Sequence, residues 1–192
     1  EAAAASKEAA PATPKQKEKG GETMAHDEHE QAAAGLGALR CGVLTVTDSR
    51  TEATDESGKL MQQLVTEQGH RVARYALLPN DEARVRTEVE SWAGSGEVDA
   101  VMITGGTGLS SRDRTIEAVL PLLEKELPGF GELFRALSFE EIGPAAMMSR
   151  ATCGVLKGCV VVSLPGSRAA VKLALERLLL PQLRHLVQQA RK

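Results

Sequence analysis

The sequence is poor in aromatic residues, with one Trp, one Tyr and three Phe in 192 positions. That scarcity excludes a nucleic-acid reader built on stacked bases. There is no basic excess either: the formal net charge is −3, which leaves no electrostatic footprint for a duplex. No apolar run reaches the ~18 residues that a membrane-spanning helix requires, so no membrane partner is expected. The N-terminus lacks the charged start and apolar core of a secretory signal. Cysteines are few, at Cys41, Cys153 and Cys159. An odd number without a Cys-x-x-Cys makes neither a disulfide framework nor a zinc site. Cys41 and Cys159 fall in predicted strands and read as small buried hydrophobes. The expected compartment is the cytoplasm.

What is present is an ordinary globular composition, 42% hydrophobic and 26% charged, in a chain long enough for one domain with a core. Residues 1–38 differ from the rest. They are rich in Ala, Lys, Glu and Gly and nearly free of large apolar side chains, so they bury too little surface to offset ordering entropy. The reading is a disordered tail at 1–38 and a folded domain at 39–192. In that domain, apolar strand-length runs at 41–47, 71–78, 98–104 and 159–164 alternate with helical patterns. Helices are predicted near 58–69, 81–92, 114–123, 130–137, 145–151 and 169–180, with another starting at Pro181. A connector is predicted at 154–158. The run at 41–47 does not alternate cleanly, as suits a strand buried on both faces. The alternation predicts an α/β fold: a three-layer α/β/α sandwich with a mostly parallel sheet. Ligands of such sheets bind beyond the carboxyl ends of the strands. Three such ends are polar or small here: Thr47-Asp48-Ser49, Thr104 to Asp113, and Ser163 to Ser167.

The central stretch is Val101-Met-Ile-Thr-Gly-Gly-Thr-Gly-Leu-Ser-Ser-Arg-Asp113. Strand, glycine loop and helix start together are a way to build an anion site. The loop is not a Walker A motif, since no Gly-Lys-Ser/Thr follows at the right spacing. It is not a dinucleotide fingerprint, since Ser111 stands where a third glycine is needed. A tight turn that lets the helix pack is the plainer alternative. Asp113 has two readings, as a helix N-cap or as a carboxylate beside a phosphate loop that holds Mg²⁺. Asn80 and Asp81 are similarly ambiguous: Asn80 is a good N-cap and Asp81 suits a first turn. Arg112, Arg114 and Arg150 are candidate anion binders. His70 and His185 have no partner spacing. From the residues alone, the protein is an α/β domain that binds a phosphorylated small molecule, with Mg²⁺ as an option.

Several segments in order resemble one family. Thr104-Gly-Gly-Thr-Gly108 with Arg112-Asp113 and Thr115 resembles the molybdopterin-binding signature of the MogA/MoaB family. Pro128-Gly-Phe-Gly-Glu132, Ser149-Arg150-Ala151 and Leu164-Pro-Gly-Ser167 are similar to further family segments. Leu137-Ser-Phe-Glu-Glu-Ile-Gly143 and Pro181-Gln-Leu183 look like the MoaB branch. The resemblance covers about residues 40–189. It implies molybdenum cofactor biosynthesis, with molybdopterin and Mg·ATP as substrates, AMP transferred to the pterin phosphate, and pyrophosphate released. It also implies a homotrimer or hexamer and contacts with other proteins of that pathway. By the resemblance, Asp113 is catalytic and binds Mg²⁺. Thr104, Gly105, Gly106, Thr107 and Gly108 cradle phosphate. Ser149, Arg150, Pro165, Gly166 and Ser167 line the pterin side, and Asp48 and Ser49 the nucleotide side. The active branch carries a second acid after the proline; here Asn80 stands there, with Asp81 next. Either a one-residue shift lets Asp81 serve as catalyst and metal ligand, or a charge is missing.

Overall fold

The computed structural model describes residues 35–192. The tail expectation falls on residues outside these, apart from 35–38, where Leu36 already packs against the core. Six strands form one sheet: β1 (Arg40–Val46), β2 (Arg71–Leu78), β3 (Ala100–Thr104), β4 (Lys125–Glu126), β5 (Thr152–Leu156) and β6 (Cys159–Leu164). Their spatial order is β2-β1-β3-β6-β5-β4. β2, β1, β3 and β6 are parallel, and β5 and β4 run antiparallel at one edge. The helices are α1 (Glu56–Glu67), α2 (Glu82–Gly94), α3 (Thr115–Val119), α4 (Pro128–Ile142), α5 (Arg168–Ala174) and α6 (Leu180–Ala190). This is the mostly parallel α/β/α sandwich that the alternation predicts.

Strand periodicity divides the core. Cys41 and Val43 of β1, Met102 of β3 and Val160 and Val162 of β6 face a layer holding Met61, Val65, Phe130, Phe134 and Leu183. Leu44, Val46, Val101, Ile103 and Val161 face Val85, Val89, Trp92 and Ala118 on the other side. β1, β3 and β6 are therefore covered on both faces, which explains their near-continuous apolar sequences. All three cysteines are buried and free. Burial pushes each thiol up to about 12, so none supplies a thiolate nucleophile at neutral pH.

Several local expectations give way. The stretch 154–158 is not a connector. Gly154 to Leu156 belong to β5, and Lys157 and Gly158, both at positive φ (51° and 72°), make the two-residue turn of a β5–β6 hairpin. Such a turn suits the twist of antiparallel strands. The helix predicted at 130–137 runs on to Ile142, with Pro128 at its start, where a missing N–H costs nothing. Residues 143–148 form 3₁₀ turns instead of an α-helix. The last two helices are continuous through a π segment at Leu175–Leu179. Pro181 lacks the N–H an α-helix needs there, and the wider turn accommodates it.

Candidate functional site

The chain leaves β1 on one side to form β2 and returns on the other to form β3. Between the carboxyl ends of β1 and β3 the loops splay apart, which opens a crevice at this switch point. An open cleft of about 580 Å³ lies there. It gathers Asp48, Ser49, Asn80, the whole stretch Thr104 to Gly108, Asp113, Ser149, Arg150, Pro165, Gly166 and Ser167. Asp81 is not among them.

The glycine loop is held from below. Gly105 N–H donates to Leu164 O (3.0 Å) and Thr115 N–H to Gly106 O (2.9 Å). Thr115 Oγ1 donates to Gly105 O (2.8 Å), and Thr104 Oγ1 to Pro165 O (3.1 Å). Gly105 and Gly106 sit at φ +94° and +62°, a region that favours glycine. Gly166 approaches so closely that a Cβ on it would lie 3.2 Å from Gly105 Cα. Gly105 N–H is thus engaged inside the protein, while those of Gly106, Thr107 and Gly108 meet no acceptor among the described residues. The loop reaches its helix through a polar segment, and the helix starts at Thr115, close to the predicted 114. Residues 109–114 intervene, and α3 is only five residues long, too few aligned peptides for a substantial macrodipole. Anion binding would rest on loop amides.

The N-cap readings are also corrected. The cap of α3 is Arg114, without a side-chain bond. The Asp113 carboxylate instead lies along the loop, where a Cβ on Gly108 would be 2.7 Å from Asp113 Oδ2. Asp81, not Asn80, caps α2, accepting from Arg84 N–H at 3.0 Å. The carboxylate of Asp81 is directed to the helix end, and no one-residue shift brings it into the cleft. Asn80 occupies that place. Its backbone N–H and Nδ2 both donate to Asp48 (2.8 and 3.1 Å). A carboxylate only accepts, so the Asn80 amide must turn its Nδ2 to Asp48 and its Oδ1 away. Oδ1 is buried, has no partner, and lies against Gly106. The two Asn80 donors, the backbone N–H first, hold the Asp48 carboxyl below its ordinary range.

Arg150 is anchored rather than free. It donates to Thr107 O (2.8 Å) and makes a two-pronged pair with Glu117 (2.7 and 3.1 Å). That pair holds the Glu117 carboxyl low and raises Arg150. Arg114 pairs with Glu82 on the surface. Arg50 and Ser57 also line the cleft and were not singled out from the sequence. Nor was Asp55, the fully buried cap of α1. Its carboxylate accepts from Thr45 Oγ1 (2.6 Å), Tyr75 OH (2.8 Å) and Gly58 N–H (3.0 Å). Burial first, then the Asp55 hydrogen bond, raises the Tyr75 phenol, so it stays a donor. The short polar run after β1 was the available signal for these residues.

Comparison with known proteins gives this architecture a family. The family described as "Probable molybdopterin binding domain" matches residues 42–185, and the chain belongs to it, within the MoaB/MogA group of molybdenum cofactor biosynthesis. The molybdenum cofactor biosynthesis protein B of Bacillus subtilis is 48% identical over 170 residues, 88% of this chain and 99% of that protein. A crystal structure of a molybdenum cofactor biosynthesis protein B is 45% identical, with TM-score 0.78 over 80% of this chain and 96% of the other. The tungsten cofactor synthesizing protein MoaB from Pyrococcus furiosus is 39% identical, with TM-score 0.74 over 82% and 99%. Among the described residues no helix is long and apolar enough to cross a membrane.

Proposed function

We propose that this cleft binds molybdopterin by its phosphate and adenylates it with Mg·ATP, giving adenylyl-molybdopterin and pyrophosphate. The observation that carries the reading is the Asp113 carboxylate, which lies along the glycine loop rather than on a helix end. The N–H groups of Gly106, Thr107 and Gly108 hold the pterin phosphate. A phosphate oxygen attacks the α-phosphorus of ATP, the bond to the bridging oxygen breaks, and pyrophosphate leaves. Little covalent chemistry falls to the protein, so its contribution is positioning and charge. Arg150, fixed by Glu117, keeps Thr107 and its neighbours in place.

The donor set fits Mg²⁺ in a reduced form. Mg²⁺ takes one or two carboxylates together with substrate phosphates and water. Asp113 would supply the carboxylate, and Asn80, whose Oδ1 has no partner in the protein, would supply a neutral oxygen. The ion would neutralise charge on the transferring phosphate.

A second reading has its own observation. With Asn80 in the cleft and Asp81 on the helix end, one negative charge is absent from the metal side, which favours a protein that holds molybdopterin without adenylating it. Incubation of the purified protein with molybdopterin, ATP and Mg²⁺, followed by mass analysis of the pterin, separates the two. Adenylated pterin supports the first. Saturable pterin binding without that product supports the second, and no pterin binding removes both. By family resemblance the assembly would be a homotrimer or hexamer, which sedimentation would read directly.

A further inference from the structure

Among the described residues, the cleft is lined by one arginine that makes no ion pair. Arg150 lines it but is paired with Glu117. Arg114 and Arg168 are paired with Glu82 and Glu56. Arg50 also lines the cleft, and its one hydrogen bond among the described residues runs from Nη1 to Ser57 Oγ (3.2 Å). Ser57 is buried and donates its own hydroxyl proton to Gly166 O (2.8 Å), so its lone pair faces the guanidinium. The bond locates Arg50 without reducing its charge. A guanidinium carries five N–H donors in a planar fork, and only one of these is engaged among the described residues. Through Ser57 the side chain is tied to Gly166 of the β6 loop, in the cleft that Gly106 to Gly108 also line.

We infer that Arg50, positioned by Ser57, is the polyphosphate-binding residue of the cleft. Its ligand class is a tri- or pyrophosphate chain, free or on a nucleotide. This rests on the adenylation reading for its biological substrate, but the anion site is tested separately. Three observations point to polyphosphate rather than to a second single phosphate. The glycine loop already offers amides for one phosphate group. Asp48 and Asp113 both line the cleft, so a highly charged anion needs a fixed positive partner beyond any metal. And the planar fork of arginine matches adjacent phosphate oxygens two at a time.

The test is calorimetric titration of the full chain with inorganic tripolyphosphate, and separately with molybdopterin. Arg50→Ala should weaken tripolyphosphate binding by at least about 10-fold, the effect of losing charge-assisted hydrogen bonds. Molybdopterin affinity should change by less than about threefold. Arg50→Lys should recover part of the loss, since it restores charge without the fork. Arg50 is exposed and makes one hydrogen bond, so the variants should melt with wild type. Equal tripolyphosphate affinity in wild type and Arg50→Ala overturns the inference, as does a wild type that does not bind tripolyphosphate. If Arg50→Ala loses the anion while the wild type makes no adenylated pterin, the Arg50 site stands and the adenylation reading falls.

Discussion

Gly105→Ala should be among the most damaging single-methyl additions this fold can receive. The residue sits at φ +94°, where a side chain costs about 1–3 kcal/mol in backbone strain. The added Cβ would also fall well inside contact distance of the Val46 carbonyl oxygen. That oxygen is backbone at the end of β1, which the Thr45–Thr104 pairing keeps against β3, so it cannot swing aside as a flexible side chain would. Overpacking of this kind adds about 1–3 kcal/mol. Alanine returns about 0.4–1 kcal/mol by restricting the unfolded chain. The expected net loss is therefore about 1–6 kcal/mol, against a typical total of about 5–15 kcal/mol. The control is Gly129→Ala. Gly129 lies in the first turn of α4, and a Cβ there meets nothing within 4 Å, so this variant should gain about 0.5–1 kcal/mol. Urea unfolding can be followed by fluorescence of Trp92, the single tryptophan, which is 2% exposed in the fold. A Gly105→Ala midpoint equal to or above that of Gly129→Ala would refute the argument.

Three further outcomes are expected. Asp113→Ala should leave stability within about 0.5 kcal/mol of wild type, because the side chain caps no helix, yet reduce any adenylation at least about 100-fold; parallel melting and turnover measurements check both halves. His70 is buried and accepts Leu39 N–H at Nδ1 (3.2 Å), and burial, then Arg184, lowers its pKa from 6.5. Because the folded value lies below the unfolded one, its contribution is complete above about pH 6.5 and is lost as pH falls through the lowered value, by at most about 1.4 kcal/mol per pH unit. Urea midpoints of wild type and His70→Gln across pH 4.5–8 should show a slope that the variant lacks. Asn80→Asp replaces the donor to Asp48 with a second carboxylate, so without metal it should unfold more easily at pH 7 than at pH 4.5 relative to wild type, and millimolar Mg²⁺ should recover part of the difference.

The parallel half of the sheet is legible from residue type because β1, β3 and β6 are buried on both faces and carry uninterrupted apolar runs. The glycine loop is legible for the same reason, as it ends one of them. β4 and β5 are not. β4 is two residues long and β5 carries Gly154 at its centre, so neither makes a periodic signal; Lys157-Gly158 between two apolar stretches was the better clue, as a hairpin turn. At the site, residues adjacent to strand ends are readable, whereas partners brought in from elsewhere are not. Glu117 is 33 positions from Arg150 in sequence, and Ser57 reaches Gly166 across 109. Such pairs depend on how helices dock on the sheet. The caps of α2 and α3 are not legible because several adjacent residues have similar capping chemistry, and only the backbone path selects among them.

That selection changes what the cleft is. An aspartate at position 80 would set two carboxylates side by side with Asp48, and like charges at that range cannot both ionise freely unless a cation sits between them. With asparagine the pair is complete without any ion: Asp48 accepts two hydrogen bonds, its carboxyl is held low, and the amide oxygen stays buried against Gly106 without a partner. The hydrogen bonds of this pair require no cation to complete them. Relative to an aspartate at position 80, the cleft carries one negative charge fewer beside the loop amides and Arg50. Binding of the phosphorylated ligand should consequently depend less on Mg²⁺ than turnover does, and titrating molybdopterin with and without EDTA would separate the two dependences. If chelation abolished pterin binding altogether, the Asp48–Asn80 pair would not be the metal-independent support deduced for it.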